Sequence, residues 1–538
     1  MPDLEVNKFL PPVQLWPKRD FVAAGLSYPE KLNAAEELVR RNLESGFAHK
    51  VAIYYGQEAL TYGELSQAVR RLAGALASRG VGKGDRVLLR LPNTPDFIIS
   101  WLAVLHLGAI VVATVPLLRE REMEKILRDA EIKTAIIESG FLPDAEKARQ
   151  RVPELKDILL SGEPRSGYPH IRELLAQTST GIAAEQTRRD DIAVLAYTSG
   201  STGDPKGTIH FHEDILAIAD GVARHNMGIR PEDISAGHPT MAFTFGLGGL
   251  LVFPFRFGAS TVLLERFTPQ TMLQTLRDYK ATIAFCAPTC FQMMLDLREP
   301  GGLPHLRLGV SGGASLPPIT YRRWQERYGS ELLEGIGATE MLHMFICNHP
   351  GEVKPGSCGT VVKGYEATVM DENLSPLPPG EEGLLAVRGP TGCRYWNKLD
   401  RQQEYVKNGW NLTGDVFTYD TDGYFWFRSR RDDIIVSAGY NIAGPEVENV
   451  LLEHAAVQEA AVVGVPDPLR GQVVKAFIIL RSGFSGDEKL LAQLQEFVKQ
   501  ELAPYKYPRQ IEFVSELPHT PTGKIQRFRL RQQEPAAS

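Results

Sequence analysis

The strongest constraint on the fold is a regular alternation of amphipathic helical patterns with short apolar runs that are rich in β-branched residues. The segment LTYGELSQAVRRLAGALASRG at residues 60–80 has helical periodicity, whereas RVLLRLP at 86–92 and TAIIES at 134–139 have the character of buried strands. Parallel sheets that are covered on both faces by helices give this pattern. The alternation therefore predicts an α/β fold with a large N-terminal region of mainly parallel sheets flanked by helices.

The chain is long enough to contain several domains. Its 538 residues exceed the length at which a single hydrophobic core stops growing. After Asp432 the pattern changes to strands and helices that predict a compact α+β unit. We therefore predict a large N-terminal domain at residues 1–431 and a small C-terminal domain at residues 432–538.

Charge, cysteine content and hydropathy exclude several classes of protein. The net charge of −6 gives no electrostatic reason to expect a nucleic-acid partner. Five cysteines without paired CxxC spacing predict neither a disulfide framework nor a zinc site, and they favour a cytoplasmic location. The apolar stretch Phe97 to Leu118 is long enough to span a membrane, but Gly108 and Pro116 interrupt it. We interpret it as a core helix followed by a buried strand, with no membrane partner.

A loop rich in glycine, serine and threonine follows the apolar run AVLA. It reads YTSGSTGDPKG from Tyr197 to Gly207, and its backbone N–H groups and hydroxyls are suited to binding phosphate oxygens. It is not a Walker A motif, because Lys206 follows Pro205 and precedes Gly207. Taken alone, such a loop is also compatible with an ordinary mobile turn.

The complete loop string resembles the phosphate loop of the adenylate-forming superfamily, which includes acyl-CoA synthetases, firefly-type luciferases and peptide-synthetase adenylation domains. Further motifs follow in the family's order: SGGAS at 311–315, GIGATE at 335–340, NGWNLTGD at 408–415, SRRDDIIVSAGYN at 429–441 and PTGK at 521–524. The resemblance covers residues 30 to 530 and implies ATP, Mg²⁺ and coenzyme A as cofactors or cosubstrates. It also implies nucleotide contacts at Thr198, Ser199, Gly200, Ser201, Thr202, Gly203, Gly313, Ala314, Ser315, Gly335 and Ile336.

The resemblance assigns chemical roles to a smaller set of residues. It implies that Thr339 contacts the α-phosphate, that Glu340 serves Mg²⁺, and that Asp415 and Arg430 bind the ribose. Two departures are Ile336, where the family more often has an aromatic residue, and Ser429, where it usually has glycine. The remaining implied roles are a catalytic Lys524, a further catalytic cation at Lys206, a CoA-channel glycine at Gly439 and a hinge at Asp432.

The segments HPTMAFTFGLGG and EMLHMF are similar to those of aryl-CoA ligases, and their short side chains and rings predict a compact, flat acid pocket. The N-terminal NKFLPPVQLWP resembles 2-aminobenzoate-CoA ligases, so 2-aminobenzoate (anthranilate) is the first expected acid, with benzoate or salicylate as alternatives. A carrier-protein thiol in place of CoA, a luciferase-type monooxygenase and a binding protein without activity are alternatives for the function. The predicted acid-binding residues are Thr244, Phe245, Gly312, Gly337, His343 and Met344.

Overall fold

The structure is a computed structural model that describes residues 5–116, 118, 120–178, 181–199, 205–297, 300–437, 440–467, 470–502, 504–520 and 524–532. Its strands, numbered in chain order, are β1 Val51–Tyr55, β2 Glu58–Thr61, β3 Arg86–Arg90, β4 Ile110–Ala113, β5 Thr134–Glu138, β6 Asp157–Ser161, β7 Ile192–Ser199, β8 Pro205–Phe211, β9 Ile234–Gly237, β10 Ser260–Val262, β11 Ile283–Cys286, β12 Leu308–Ser311, β13 Glu331–Gly337, β14 Met344–Cys347, β15 Thr360–Val361, β16 Glu366–Met370, β17 Gly383–Arg388, β18 Val406–Lys407, β19 Trp410–Tyr419, β20 Phe425–Arg430, β21 Ile435–Ser437, β22 Tyr440–Ile442, β23 Val457–Asp467, β24 Gly471–Leu480 and β25 Gln510–Phe513.

The α-helices lie between these strands and cover the sheets. They are α1 Ala34–Glu44, α2 Tyr62–Ser78, α3 Pro95–His106, α4 Glu120–Asp129, α5 Leu142–Arg151, α6 Ile171–Gln177, α7 His212–Ile218, α8 Thr244–Leu247, α9 Phe253–Arg256, α10 Pro269–Asp278, α11 Pro288–Asp296, α12 Pro318–Tyr328, α13 Leu399–Tyr405, α14 Gly444–Glu453, α15 Glu488–Glu501 and α16 Arg527–Gln532. The π-helical segments Ala219–Ala223 and Gly248–Val252 continue α7 and join α8 to α9.

Two large sheets carry most of the chain. One has the order β6-β5-β3-β4-β7-β8 and is parallel except at β7–β8. The other has the order β15-β14-β13-β12-β11-β9-β10-β1-β2 and is parallel from β13 to β1. Both sheets contribute to one hydrophobic core with α1, α2 and α3, in which Trp101 and Phe97 are fully buried. The predicted α/β class is confirmed.

The stretch from Phe97 to Leu118 forms a helix and then a strand, as predicted. Helix α3 ends at His106, and Gly108 has a φ of +68°, which allows the chain to turn sharply into β4. In the described part of the chain no helix has both the length and the apolarity needed to cross a membrane.

A third sheet was not predicted from the sequence. Strands β16 to β20 form an antiparallel sheet in which β19 pairs with β17, β18 and β20. Several residues of these strands are only partly buried, so the strands lack the continuous apolar run of a buried parallel strand. The fourth sheet, β22-β21-β24-β23 with β25 alongside β24, forms the predicted C-terminal α+β unit. The domain boundary at Asp432 stays a prediction.

Candidate active site

The carboxyl ends of the parallel strands in the nine-stranded sheet form one side of the candidate site. Residues 312–315 follow β12, and the 3₁₀ turn Thr339–Met341 follows β13. Because β12 and β13 are adjacent and parallel, both loops leave the sheet at the same edge. The residues predicted to contact adenine at this edge are Gly313, Ala314 and Ser315 after β12, and Gly335 and Ile336 within β13.

The Glu340 carboxylate is held by a tyrosine from a distant part of the sequence. The Tyr395 hydroxyl donates a hydrogen bond of 2.7 Å to Glu340 Oε1. Tyr395 reaches this point because it pairs with Thr208 of β8 through an isolated bridge. The Lys206 ammonium lies 6.0 Å from the centroid of the Tyr395 ring. Among the described residues no cationic side chain forms an ion pair with Glu340, so its environment fits the Mg²⁺ ion that the sequence predicts there.

Asp415 and Arg430 face each other across neighbouring antiparallel strands. The register of β19 and β20 pairs the two residues directly. Arg430 Nη1 lies 2.6 Å from Asp415 Oδ1, and the same nitrogen lies 3.4 Å from the carbonyl oxygen of Thr413. The Asp415 carboxylate raises the pKa of Arg430. This pairing uses one carboxylate oxygen of Asp415 and leaves the other as an acceptor for a hydroxyl group.

Lys524 reaches the same cleft from the C-terminal unit. Its Cε lies 3.8 Å from the position that a Cβ on Gly313 would occupy. Its backbone N–H donates to Thr520 Oγ1 at 3.0 Å, which fixes the base of the side chain. Surrounding protein desolvates the ammonium and lowers its pKa, and Arg430 lowers it further, whereas the carboxylates of Asp415 and Glu340 act in the opposite direction.

Ion pairs across the predicted domain boundary hold this arrangement. Arg481 Nη1 lies 2.6 Å from Asp296 Oδ1 at the end of α11. Arg322 of α12 pairs with Glu453 of α14 at 3.3 Å. The structure therefore has an orientation in which Lys524 faces the predicted nucleotide residues.

The predicted acid-binding residues lie together beside the loop after β12. A Cβ on Gly312 would lie 2.8 Å from Met344 Cε and 3.1 Å from Phe245 Cε2, so only glycine fits this position without displacing its neighbours. Phe245 and Thr244 belong to α8, and the Phe245 and Phe285 rings meet edge to face at 5.9 Å. Aromatic rings border these residues, which suits a flat aromatic acid.

His343 is buried between aromatic rings. Its ring lies 4.5 Å from that of Phe253 and 5.9 Å from that of Phe245. Neither ring nitrogen forms a well-aligned hydrogen bond within the described residues. Burial lowers the pKa of His343 to about 3, although the backbone of Phe245 acts in the opposite direction, so the imidazole is neutral at pH 7. A buried polar group without a partner is costly, by about 1–3 kcal/mol. The imidazole is therefore available to a polar group on a ligand.

Unusual backbone geometry places His343 at this position. Leu342 has a φ of +66°, a left-handed conformation that is strained for a non-glycine residue. On the other side, a Cβ on Gly248 would lie 2.4 Å from His343 Cδ2, so the π-helical segment Gly248–Val252 makes room for the ring. At Gly337 a Cβ would lie 2.6 Å from the carbonyl oxygen of His343, which excludes any larger residue.

Several sequence-predicted positions are outside the described residues or only partly within them. Thr198 lies in β7 opposite Lys206 of β8, on either side of the predicted phosphate loop. The backbones of Ser199 and Asp432 are described, but their side chains are not. The predicted positions outside the described residues are Gly200, Ser201, Thr202, Gly203 and Gly439.

The sequence reasoning missed Tyr395, Phe253 and Phe285. Tyr395 contacts Glu340, although the two residues are far apart in the sequence and no local motif marks the tyrosine. Phe253 and Phe285 have the appearance of ordinary core residues in the sequence and are fully buried in the structure. Only their packing against His343 or Phe245 distinguishes them.

Comparisons with known proteins agree with this geometry. The family model for AMP-binding enzymes matches residues 41–396, and the model for the AMP-binding enzyme C-terminal domain matches residues 446–524. The chain is 38% identical to a benzoate–CoA ligase of Thauera aromatica, over 94% of this chain and 97% of the relative. Among solved structures, an anthranilate CoA ligase, AuaEII, in complex with anthranoyl-AMP superimposes with a TM-score of 0.90 at 37% identity, over 95% of this chain and 98% of that one. A benzoate CoA ligase from Burkholderia xenovorans gives a TM-score of 0.86 at 33% identity, over 93% and 100% of the two chains.

Proposed function

The chain belongs to the AMP-binding enzyme family, and from that premise we propose that it joins 2-aminobenzoate to coenzyme A through an acyl-adenylate. As a member of the aryl-CoA ligase branch it is an acid–thiol ligase that forms AMP. In the first half-reaction the acid's carboxylate oxygen attacks the α-phosphorus of ATP and pyrophosphate leaves. In the second, the CoA sulfur attacks the acyl carbon, its proton is lost, and AMP leaves.

Different residues of the cleft have different roles in these two half-reactions. Asp415 and Arg430 hold the ribose, while Lys524 supplies positive charge between two anions, the acid carboxylate and the α-phosphate. Glu340, oriented by Tyr395, is the residue that would hold Mg²⁺, which neutralises charge on the phosphates when bound.

The choice of 2-aminobenzoate depends on His343. The imidazole is buried and neutral, and its contact with the backbone of Phe245 is not a well-aligned hydrogen bond. An amino group ortho to the carboxylate can exchange a hydrogen bond with it, whereas plain benzoate leaves the imidazole unpaired. The similarity to a ligase solved with anthranoyl-AMP supports the same acid.

A screen of acids tests this proposal. We expect kcat/KM for 2-aminobenzoate, measured as pyrophosphate release with ATP and CoA, to exceed that for hexanoate and for every longer fatty acid. Acyl-CoA should form in step with pyrophosphate. Equal rates for decanoate and aryl acids would contradict an aryl pocket, and pyrophosphate release without acyl-CoA would favour a carrier-protein thiol as the acceptor.

Replacing His343 with alanine should reduce the preference for an ortho amino group. We expect the ratio of kcat/KM for 2-aminobenzoate over that for benzoate to fall. The free-energy equivalent of this fall should be about 1–3 kcal/mol, the cost of a lost buried hydrogen bond. Met344→Leu is the matched control, because it conserves volume in the same pocket and leaves the imidazole in place. An unchanged ratio in His343→Ala would remove the basis for the ortho-substituted acid.

Two carboxylates should affect different kinetic constants. Glu340→Ala should lower kcat for adenylation and weaken its dependence on Mg²⁺ concentration, whereas Asp415→Ala should chiefly raise the KM for ATP through lost ribose binding. Asp422→Ala removes an exposed carboxylate from the β19–β20 turn and serves as the control. Unchanged kinetics in both active-site variants would show that these roles are misplaced.

A further inference from the structure

A histidine and two cysteines converge at the carboxyl edge of the nine-stranded sheet, where β9 and β11 end. Nδ1 or Nε2 of His238 and the Sγ atoms of Cys286 and Cys290 all lie within 4.8 Å of one another. Both cysteines are buried free thiols, at 0% and 2% exposure, and His238 is half-buried. His238 Nδ1 is buried without a hydrogen-bond partner in the part of the chain that the structure describes.

The fold brings these residues together, although their spacing in the sequence is not that of a CxxC motif. Strands β9 and β11 are adjacent and parallel, and their register pairs Gly237 with Phe285. The next residues along the two strands, His238 just after β9 and Cys286 at the end of β11, therefore lie side by side. Helix α11 begins at Pro288 and places Cys290 in its first turn, back above Cys286.

The composition of the cluster selects among metals. Thiolates and imidazole are soft or borderline ligands that favour Zn²⁺ over Mg²⁺ or Ca²⁺. Two thiolates neutralise the charge of one divalent ion, which makes it compatible with buried surroundings. We propose that His238, Cys286 and Cys290 bind one Zn²⁺ ion per chain, with water in the fourth tetrahedral position. This proposal departs from the sequence-based expectation of no zinc site, which considered cysteine spacing along the chain only.

The site is separate from the acid pocket and has a structural consequence of its own. Phe285 packs on the pocket side of the sheet, whereas Cys286 and Cys290 belong to a second core with α10 and α12. Helix α11 also carries Asp296, which pairs with Arg481 of the C-terminal unit. The metal ties the start of this helix to the sheet edge and stabilises the surface on which that unit docks.

Zinc binding can be measured without reference to the acid. The untagged full-length chain, stripped with a chelator under reducing conditions, should bind one equivalent of Zn²⁺ by elemental analysis, and its thermal unfolding midpoint should rise on Zn²⁺ addition. Co²⁺ in place of Zn²⁺ should give a thiolate-to-metal charge-transfer absorption. The Cys286→Ser and Cys290→Ser variants should each lose the Co²⁺ absorption and the Zn²⁺-dependent rise in the midpoint.

Cys347→Ser is the matched control, because Cys347 is also a buried free thiol but lies outside the cluster. It should keep one equivalent of Zn²⁺ and the full Co²⁺ absorption. Absence of Zn²⁺ binding by the unmodified chain, or equal losses in Cys347→Ser and Cys286→Ser, would overturn the proposal. Because the unmodified chain is tested directly, a folding defect in one variant does not decide the result.

Discussion

Lys524→Ala is expected to lose acid-dependent pyrophosphate release by at least about 10²-fold, the scale on which removal of a preorganised charge-stabilising group slows catalysis. The acid carboxylate and the α-phosphate are both anionic, so their approach requires positive charge held between them. The Lys524 side chain lies beside Gly313 in the same cleft as Asp415 and Glu340.

The same variant should keep the second half-reaction. In thioester formation the acyl phosphate bond is already made, and the leaving group is AMP, so a cation bridging carboxylate and phosphate is no longer needed. We expect Lys524→Ala, supplied with synthetic 2-aminobenzoyl-adenylate and CoA, to form acyl-CoA at a rate near that of the unmodified chain. Lys489→Ala, an exposed lysine of α15 in the same unit, should be normal in both assays. Equal loss of both half-reactions in folded Lys524→Ala would refute a role confined to adenylation.

Long elements with strong patterns could be predicted from the sequence. Residues 60–80 contain α2, with a capping box at Thr61 and Glu64, because helical periodicity and capping act within one segment. The helix and strand within Phe97 to Leu118 were predicted because Gly108 and Pro116 interrupt the apolar run. The antiparallel sheet β16–β20 was missed because its strands are partly exposed and lack a continuous apolar run, although they pair with near neighbours in the sequence.

In the candidate site, too, some residues could be predicted from the sequence and others could not. Glu340, Asp415 and Lys524 could be located from motifs, since each lies in a short string whose residues act together. Tyr395 could not, because its contact with Glu340 depends on a bridge to β8. The left-handed conformation of Leu342 and the fit of Gly248 against His343 likewise result from tertiary packing that overrides local preference.

We propose that the C-terminal unit rotates between the half-reactions, because the sequence predicts that Lys524 serves adenylation and that Gly439 lines the CoA channel. Both positions follow Asp432, and the structure has Lys524 at the nucleotide residues in the orientation held by Arg481 and Asp296. Presenting each of the two positions in turn to the same acyl group would require the unit to change its orientation. The turn Arg431–Asp433 links β20 to this unit and is where the backbone angles would change.

Asp432→Pro should therefore keep adenylation and lose thioester formation, the reverse of what we expect for Lys524→Ala. Proline fixes φ of residue 432 near −65° and so prevents the change of angle that a rotation about this residue requires. We expect pyrophosphate release to be retained and acyl-CoA formation from synthetic adenylate to fall by about 10²-fold or more, because small errors in the placement of reacting groups have effects of that size. Asp432→Ala removes the same side chain without fixing φ and should support both half-reactions. Equal rates of acyl-CoA formation by Asp432→Pro and Asp432→Ala would contradict a hinge at residue 432. Either the hinge would then lie elsewhere, or Lys524 and the CoA channel would serve the acyl group from a single orientation.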